Sequence, residues 1–365
     1  MAEETIKKYR DRKIAEKITK AIKELAPERR IKIMHVCGSH ERTIAMYGLR
    51  DILPESIEVI SGPGCPVCCT PVGKIDEAME LARRGIIVTT FGDMLRVPGT
   101  NGSLSDTRSE GGDVRVVYSI SDAVEIARNN PEKEVVHMAV GFETTAPSTA
   151  ATILSETPEN FSVLVSHLLI PPAMDFLMRL GETKIDGFIC PGHVSTIIGS
   201  KPYEPISHRY GVPQVIAGFE PVDVLLGVLI IIKQLNEKRH CVEIEYTRSV
   251  RREGNQVALD TIQRVFRTSD KSWRGFPKIP DSALEIKEKY SGLDAEKKFE
   301  IEKTDKDWLP EGCRCGEVLR GIIYPWECPL FNKTCTPERP VGPCAVSSEG
   351  ACNIAMRYGG RTKTP

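Results

Sequence analysis

The 365-residue sequence has no excess of charge: 49 basic side chains face 50 acidic ones, a formal charge of −1. No global field draws such a chain to nucleic acid or to anionic lipid, so recognition has to sit in local sites. It also lacks a long apolar run. The most hydrophobic stretch, VLLGVLIII at 224–232, is far shorter than the roughly 20 residues a membrane-spanning helix needs. The opening MAEETIKKYRDRKIAEK is charged throughout where a signal peptide would carry an apolar core. These absences lead to the expectation of a cytoplasmic protein with neither a nucleic-acid nor a membrane partner. A G-x4-G-K-[ST] phosphate loop is missing, as is the C-x3-C-x2-C spacing of radical enzymes.

Cysteine is abundant instead. Twelve are present and ten fall in two regions. In a reducing compartment they read as metal ligands and redox thiols rather than as a disulfide framework.

Helical spacing of Ile14, Ile18, Ile22 and Leu25 before Pro27 predicts an amphipathic opening helix. Eight short β-rich runs follow, at 31–38, 57–64, 86–93, 114–121, 135–143, 161–167, 186–193 and 213–220, with helix-length segments between them. Four strands and then four strands predict an α/β fold of two similar lobes with mostly parallel sheets. The expected divisions are an N-terminal helix (1–30) packing on a third domain, a first lobe (31–133), a second lobe (134–240) and a cysteine-rich third domain (241–365), in which 241–310 reads as a connector. GFE occurs at 141–143 and again at 218–220, a hint of a structural echo. Cys37, Cys65, Asp93, Glu143, Cys190 and His193 each fall just beyond a predicted strand end, where open α/β sheets form their ligand crevice.

HVCGSHE places Cys37 and His40 three residues apart. If a helix starts here, the two share one face and the thiol has a lowered pKa, suited to metal binding or nucleophilic attack. The plainer alternative is a buried cysteine beside a capping histidine. In GPGCPVCCTP, Gly62 and Gly64 permit unusual backbone geometry and Pro66 stiffens the spacer between Cys65 and Cys68, which favours a dithiol cycling with a disulfide. A zinc site would want a second ligand pair nearby, and none is present. Cys69 reads as a local packing variant. Glu143 and His193 are candidates for acid/base or orienting roles; Thr144 and Thr145 read as helix caps; His35, His137, His167 and His208 read as structural; Cys190 is as readily packed as reactive. The tail cysteines Cys313, Cys315, Cys328, Cys335, Cys344 and Cys352 have wide, uneven spacings, which favour an iron–sulfur cluster over zinc.

Taken together, CGSHE, GPGCPVC, TFGDMLRVPG, GFETTAPSTA, CPGHVSTIIG and the tail pattern C-x14-C-x6-C-x16-C make the chain resemble the HypD family of hydrogenase maturation factors, from about residue 30 to 358. The resemblance implies a [4Fe-4S] cluster on Cys313, Cys328, Cys335 and Cys352, with Cys315 and Cys344 outside the ligand set. It implies that Cys37, with His40 beside it, holds a transient mononuclear iron bearing cyanide and carbon monoxide, and that Cys65 and Cys68 are a redox pair. It implies a HypC-type small chaperone and a HypE-type cyanide donor as partners. The expected role is an assembly scaffold with redox activity rather than a conventional turnover enzyme. The alternatives are an iron–sulfur thiol-disulfide reductase acting on a separate substrate, and a docking platform with a structural cluster.

Overall fold

The computed structural model describes residues 8–301 and 308–359. Residues 1–7, 302–307 and 360–365 of the expected N-terminal and C-terminal spans lie outside the described residues. All eight expected strands form: β1 Ile31–His35, β2 Ile57–Ser61, β3 Ile87–Thr90, β4 Val114–Val116, β5 Val135–Gly141, β6 Phe161–His167, β7 Gly187–Pro191 and β8 Gln214–Ala217. A short β9, Val242–Ile244, and a hairpin of β10, Phe266–Ser272, and β11, Lys278–Ile286, complete the described set. Two sheets are entirely parallel, one ordered β2-β1-β7-β8-β9 and the other β4-β3-β5-β6. β10 and β11 pair antiparallel.

The strand runs were legible, but their partners were not. β1 and β2 share a sheet with β7, β8 and β9, whereas β3 to β6 form the other. The spans 31–133 and 134–240 therefore each contribute to both sheets, against the consecutive four-plus-four grouping. Apolar periodicity marks a strand without naming its neighbour, and parallel strands accept any crossover long enough to return. The chain crosses from the first sheet to the second through residues 62–86, which begin with GPGCPVCC, and returns through 168–186. The opening helix, Arg12–Leu25, is capped by Asp11, whose Oδ1 accepts from the Ile14 amide at 3.0 Å. Its Ile18 and Ile22 pack with Ile31 and Ile33 of β1 and with Val222, Leu225 and Leu229 of the helix Pro221–Asn236. The helix thus covers the first sheet and not the tail, because its apolar stripe meets the one sheet face that the tail leaves free.

On the opposite face of that sheet, Met34, Ile60 and Phe188 share a core with Cys65, Cys68 and Cys69 and with Cys315, Leu319, Cys335, Cys344, Ala345 and Cys352. The tail is welded to the first sheet by common apolar burial. Trp273, Phe276, Ile279 and Ala283 of the hairpin region join the same core, so the expected connector is structural. No helix among the described residues is long and apolar enough to cross a membrane.

Candidate functional site

Strand order places the motifs. In the first sheet, β1 is flanked by β2 and β7, so successive connections leave in opposite directions; in the second, β3 is flanked by β4 and β5. Each is a topological switch point, the place where neighbouring loops part and leave a crevice. Cys37 follows β1 and His193 follows β7; Asp93 follows β3 and Glu143 follows β5. The two GFE segments also sit at strand ends, the first starting at Gly141, the last residue of β5, and the second directly following β8.

Cys37 is the N-cap residue of the helix Gly38–Met46, in extended geometry and buried. Gly64 approaches it so closely that a Cβ there would overlap the Cys37 nitrogen, and the Gly38 amide donates to the Gly64 carbonyl at 3.1 Å. The amides of His40 and Ser39 favour a thiolate, but burial dominates and pushes the Cys37 thiol up to about 11. The lowered pKa expected from the helix N-terminus is thus reversed, since desolvation of the anion outweighs a few amide dipoles.

His40 is fully buried, and its Nε2 lies 2.9 Å from the Gly218 carbonyl and 3.2 Å from that of Ala217. A carbonyl only accepts, so Nε2 carries the hydrogen and Nδ1 keeps its lone pair, which has no partner. Burial and neighbouring His35 hold His40 down to about 3, so the ring is neutral. This is the protonation state of a metal-ligating or proton-accepting imidazole. Phe219 stacks on both His40, at 5.3 Å between ring centres, and His193, at 3.9 Å. His193 is exposed, and partial desolvation of its ring lowers its pKa. His35 and Arg50 both bond to buried Glu41, the acid of CGSHE, at 2.7 and 2.5 Å; Arg50 first among these partners holds its carboxyl down to about 2 against the cost of burial.

Cys65 and Cys68 are joined as a disulfide at the start of the short helix Pro66–Cys69. Both are buried, and Cys68 Sγ lies 3.9 Å from the carbonyl of Pro343. Pro343 opens the helix Pro343–Val346, which carries Cys344, and Cys344 is joined to Cys315. Cys313, Cys328, Cys335 and Cys352 remain as free thiols and line one small cavity with Leu330, Phe331 and Met356. Gly342 stands against Cys313, where a Cβ would come 2.5 Å from the sulfur, and the Val341 amide donates to Cys335 Sγ at 3.3 Å. Burial pushes the Cys313 thiol up to about 11 and that of Cys352 well above its ordinary value. No three His, Cys, Asp or Glu side chains among the described residues gather at the spacing of a single ion.

Glu143 is buried; its Oε1 accepts from the Ile170 amide at 2.9 Å and its Oε2 has no partner. It therefore pins the start of the helix Ile170–Leu180, the segment by which the chain returns to the first sheet. Burial raises its pKa to about 8, so it is a neutral acid at pH 7.

Comparison with known proteins adds to this geometry. Residues 12–359 match the HypD model, described as the hydrogenase formation hypA family. The chain is 48% identical to a hydrogenase expression/formation protein of Methanocaldococcus jannaschii, over 95% of this chain and 98% of that one. It is 46% identical to hydrogenase maturation factor HypD2 of Bradyrhizobium diazoefficiens, with 96% of each covered. It is 43% identical to hydrogenase maturation factor HypD of Cupriavidus necator, with 97% of each covered. The chain belongs to the HypD family of hydrogenase maturation factors.

Within this HypD-family fold several residues take places the sequence did not reveal. Glu349, in the loop before the helix Ala351–Tyr358, lies against Gly38, where a Cβ would come 2.5 Å from its own Cβ. Two residues earlier, Ser347 Oγ donates to Asp93 at 2.9 Å. The tail thereby touches both switch points, and burial followed by Asp93 raises the Glu349 pKa. Phe219 and Trp273 were missed because an aromatic carries no sequence mark of what it stacks upon. Thr145 occupies an N-cap position, but its hydroxyl turns back to the Phe142 carbonyl at 3.3 Å and does not cap the helix Ala146–Leu154. His137 bonds Thr89, and His167 bonds Thr149, at 3.1 and 2.9 Å, as structural histidines do; His208 instead lies exposed. Cys190 is packed, with Sγ 3.6 Å from Gln214 Oε1. Cys69 takes no part in the disulfide and is wholly buried.

Proposed function

We propose that this chain is a redox scaffold for assembly of the iron centre of nickel–iron hydrogenase, holding an iron with cyanide and carbon monoxide ligands together with a HypC-type chaperone and accepting cyanide from a HypE-type donor. The observation that carries this reading is the succession of cysteine centres: the four-thiol cavity, the Cys315–Cys344 pair in its wall, the Cys65–Cys68 pair against the helix of Cys344, and Cys37 against Gly64. Family membership supports it independently.

The donor set supports a [4Fe-4S] cluster on Cys313, Cys328, Cys335 and Cys352. Of six tail cysteines these four are free, they face one apolar cavity, and a backbone amide aims at one of the sulfurs, as cluster sulfurs commonly receive. When bound, such a cluster supplies electrons singly. The chain's own residues do the rest. Opening either disulfide takes two electrons and two protons and yields two thiols.

The Cys65–Cys68 dithiol is suited to reductive release of cyanide from a partner's thiocyanate. The partner's S–CN bond breaks, its sulfur leaves as a thiol, the Cys65–Cys68 bond forms, and one cyanide and one proton are released. The electron pair comes from the dithiol. Neutral His40 keeps an unpartnered Nδ1 lone pair, and neutral Glu143 holds a proton, so both are in forms suited to orienting or proton-handling roles. Cys37, a soft sulfur ligand, suits the low-valent iron that is the cargo.

The test is infrared spectroscopy with metal analysis on the anaerobic complex with the chaperone. Iron beyond the cluster's four, with bands of metal-bound cyanide and carbon monoxide that Cys37→Ala removes, is the expected result. A competent complex without those bands would favour the thiol-disulfide reductase instead.

A further inference from the structure

Arg274 belongs to none of the motifs, yet it lies where the tail meets the dithiol loop. It sits in the turn between β10 and β11, only 2% exposed, between Trp273, which stacks on Phe142, and Gly275. Its amide donates to the Cys69 carbonyl at 3.0 Å, and its Nε donates to the Thr70 carbonyl at 3.1 Å. Gly275, at a φ of +76°, is held on the other side: a Cβ there would overlap the Cα of Gly316, the neighbour of Cys315, and Arg320 donates to the Gly275 carbonyl. One turn is therefore fastened to the loop that follows Cys68 and to the segment of Cys313 and Cys315. The guanidinium, held at the Thr70 carbonyl, is thus buried between the disulfide loop and the segment of Cys313 and Cys315.

We propose that Arg274 is a positioning residue that sets how readily the four-cysteine centre accepts an electron. The proposal rests on the cluster reading above. Taking up one electron adds one negative charge to a buried region, and a fixed positive charge nearby lowers the free energy of that added charge. Arginine suits the task because it stays protonated when buried and its planar fork is oriented by the Thr70 bond. Opening the Cys65–Cys68 disulfide consumes two protons with its two electrons and leaves neutral thiols, so the charge acts mainly on the one-electron step.

The experiment is mediated redox titration, with viologens as one-electron donors, of the anaerobic full-length protein, followed by electron paramagnetic resonance. Iron, sulfide and thiol-trapping analyses establish that the cluster and both disulfides are present. Arg274→Gln should retain four iron and both disulfides but shift the reduction equilibrium about tenfold toward the oxidised form, or about 59 mV for one electron. Arg274→Lys, which keeps the charge, should stay within about threefold of the parent protein on the same scale. An intact Gln variant with an unmoved equilibrium overturns the role of Arg274. Should the Gln variant fail to fold, the Lys variant decides: a displacement of about tenfold or more overturns the charge argument, and retention supports it. A parent protein that never holds four iron and sulfide overturns the cluster reading itself, an outcome separate from either shift.

Discussion

Gly64 and Cys37 are in main-chain contact across the first crevice: no side chain fits on Gly64 without overlapping the Cys37 nitrogen, and the Gly64 carbonyl accepts from Gly38. The residue before the dithiol is thereby fixed against the residue proposed to hold iron. The glycine is required by this approach and not by its backbone angles, since its φ is not in the left-handed region.

Gly64→Ala should therefore destabilise the protein by roughly 1–3 kcal/mol or more, the usual cost of forcing atoms into a packed interior. Calorimetry should register a lowered thermal midpoint. Gly292, with nothing within 4 Å of an added Cβ, is the control, and its alanine variant should unfold with the parent chain. Equal midpoints for all three proteins would refute the contact.

The six tail cysteines should separate into two classes. Alanine at Cys328 or Cys335 should remove the brown cluster absorbance and loosen the tail, because metal binding orders an otherwise irregular segment. Alanine at Cys315 or Cys344 should leave the absorbance and remove a disulfide. A colourless Cys344→Ala beside a coloured Cys335→Ala would show the ligand set to be misassigned.

Cys65→Ser should take up about two fewer electrons than the parent protein in an anaerobic titration that starts from fully oxidised samples, because one disulfide couple is lost. The Cys315–Cys344 disulfide takes up its own two electrons in both proteins. Equal uptake would remove the Cys65–Cys68 pair from the redox inventory.

Glu143 ties stability to pH. Its folded pKa is raised from 4.5 to about 8, so between those values the folded chain holds a proton that the unfolded chain has released. Stability must then fall as pH rises through this window and level off above about 8. Glu143→Gln lacks this titration, so its stability relative to the parent should improve steadily from pH 5 to pH 8 in urea unfolding. A constant difference across that range would mean that the carboxyl is ionised in the fold.

Much of this protein was determined by its sequence alone. The β-rich runs fold as strands because alternating or continuous apolar residues leave a short segment no better way to bury itself, and all eight appear where the pattern put them. The Cys65-Pro66-Val67-Cys68 spacing brings two thiols together by local geometry, so that pair was legible too. The four-plus-two division of the tail cysteines came only with the family resemblance, since their spacing admits many pairings; the joining of Cys315 to Cys344 was not legible, and the packing of Pro343–Val346 beside Cys315 selects it. Sheet partnership was equally hidden, because strands of like composition are interchangeable until crossovers and helices have packed. Tertiary structure alone also reversed the ionisation expected of Cys37, since the helix that would stabilise its anion is sealed by Gly64 and Glu349. Burial is a property of the whole fold, whereas a motif reports only its own few residues, and so the Arg274 turn passed for a connector until its neighbours on both sides were in place.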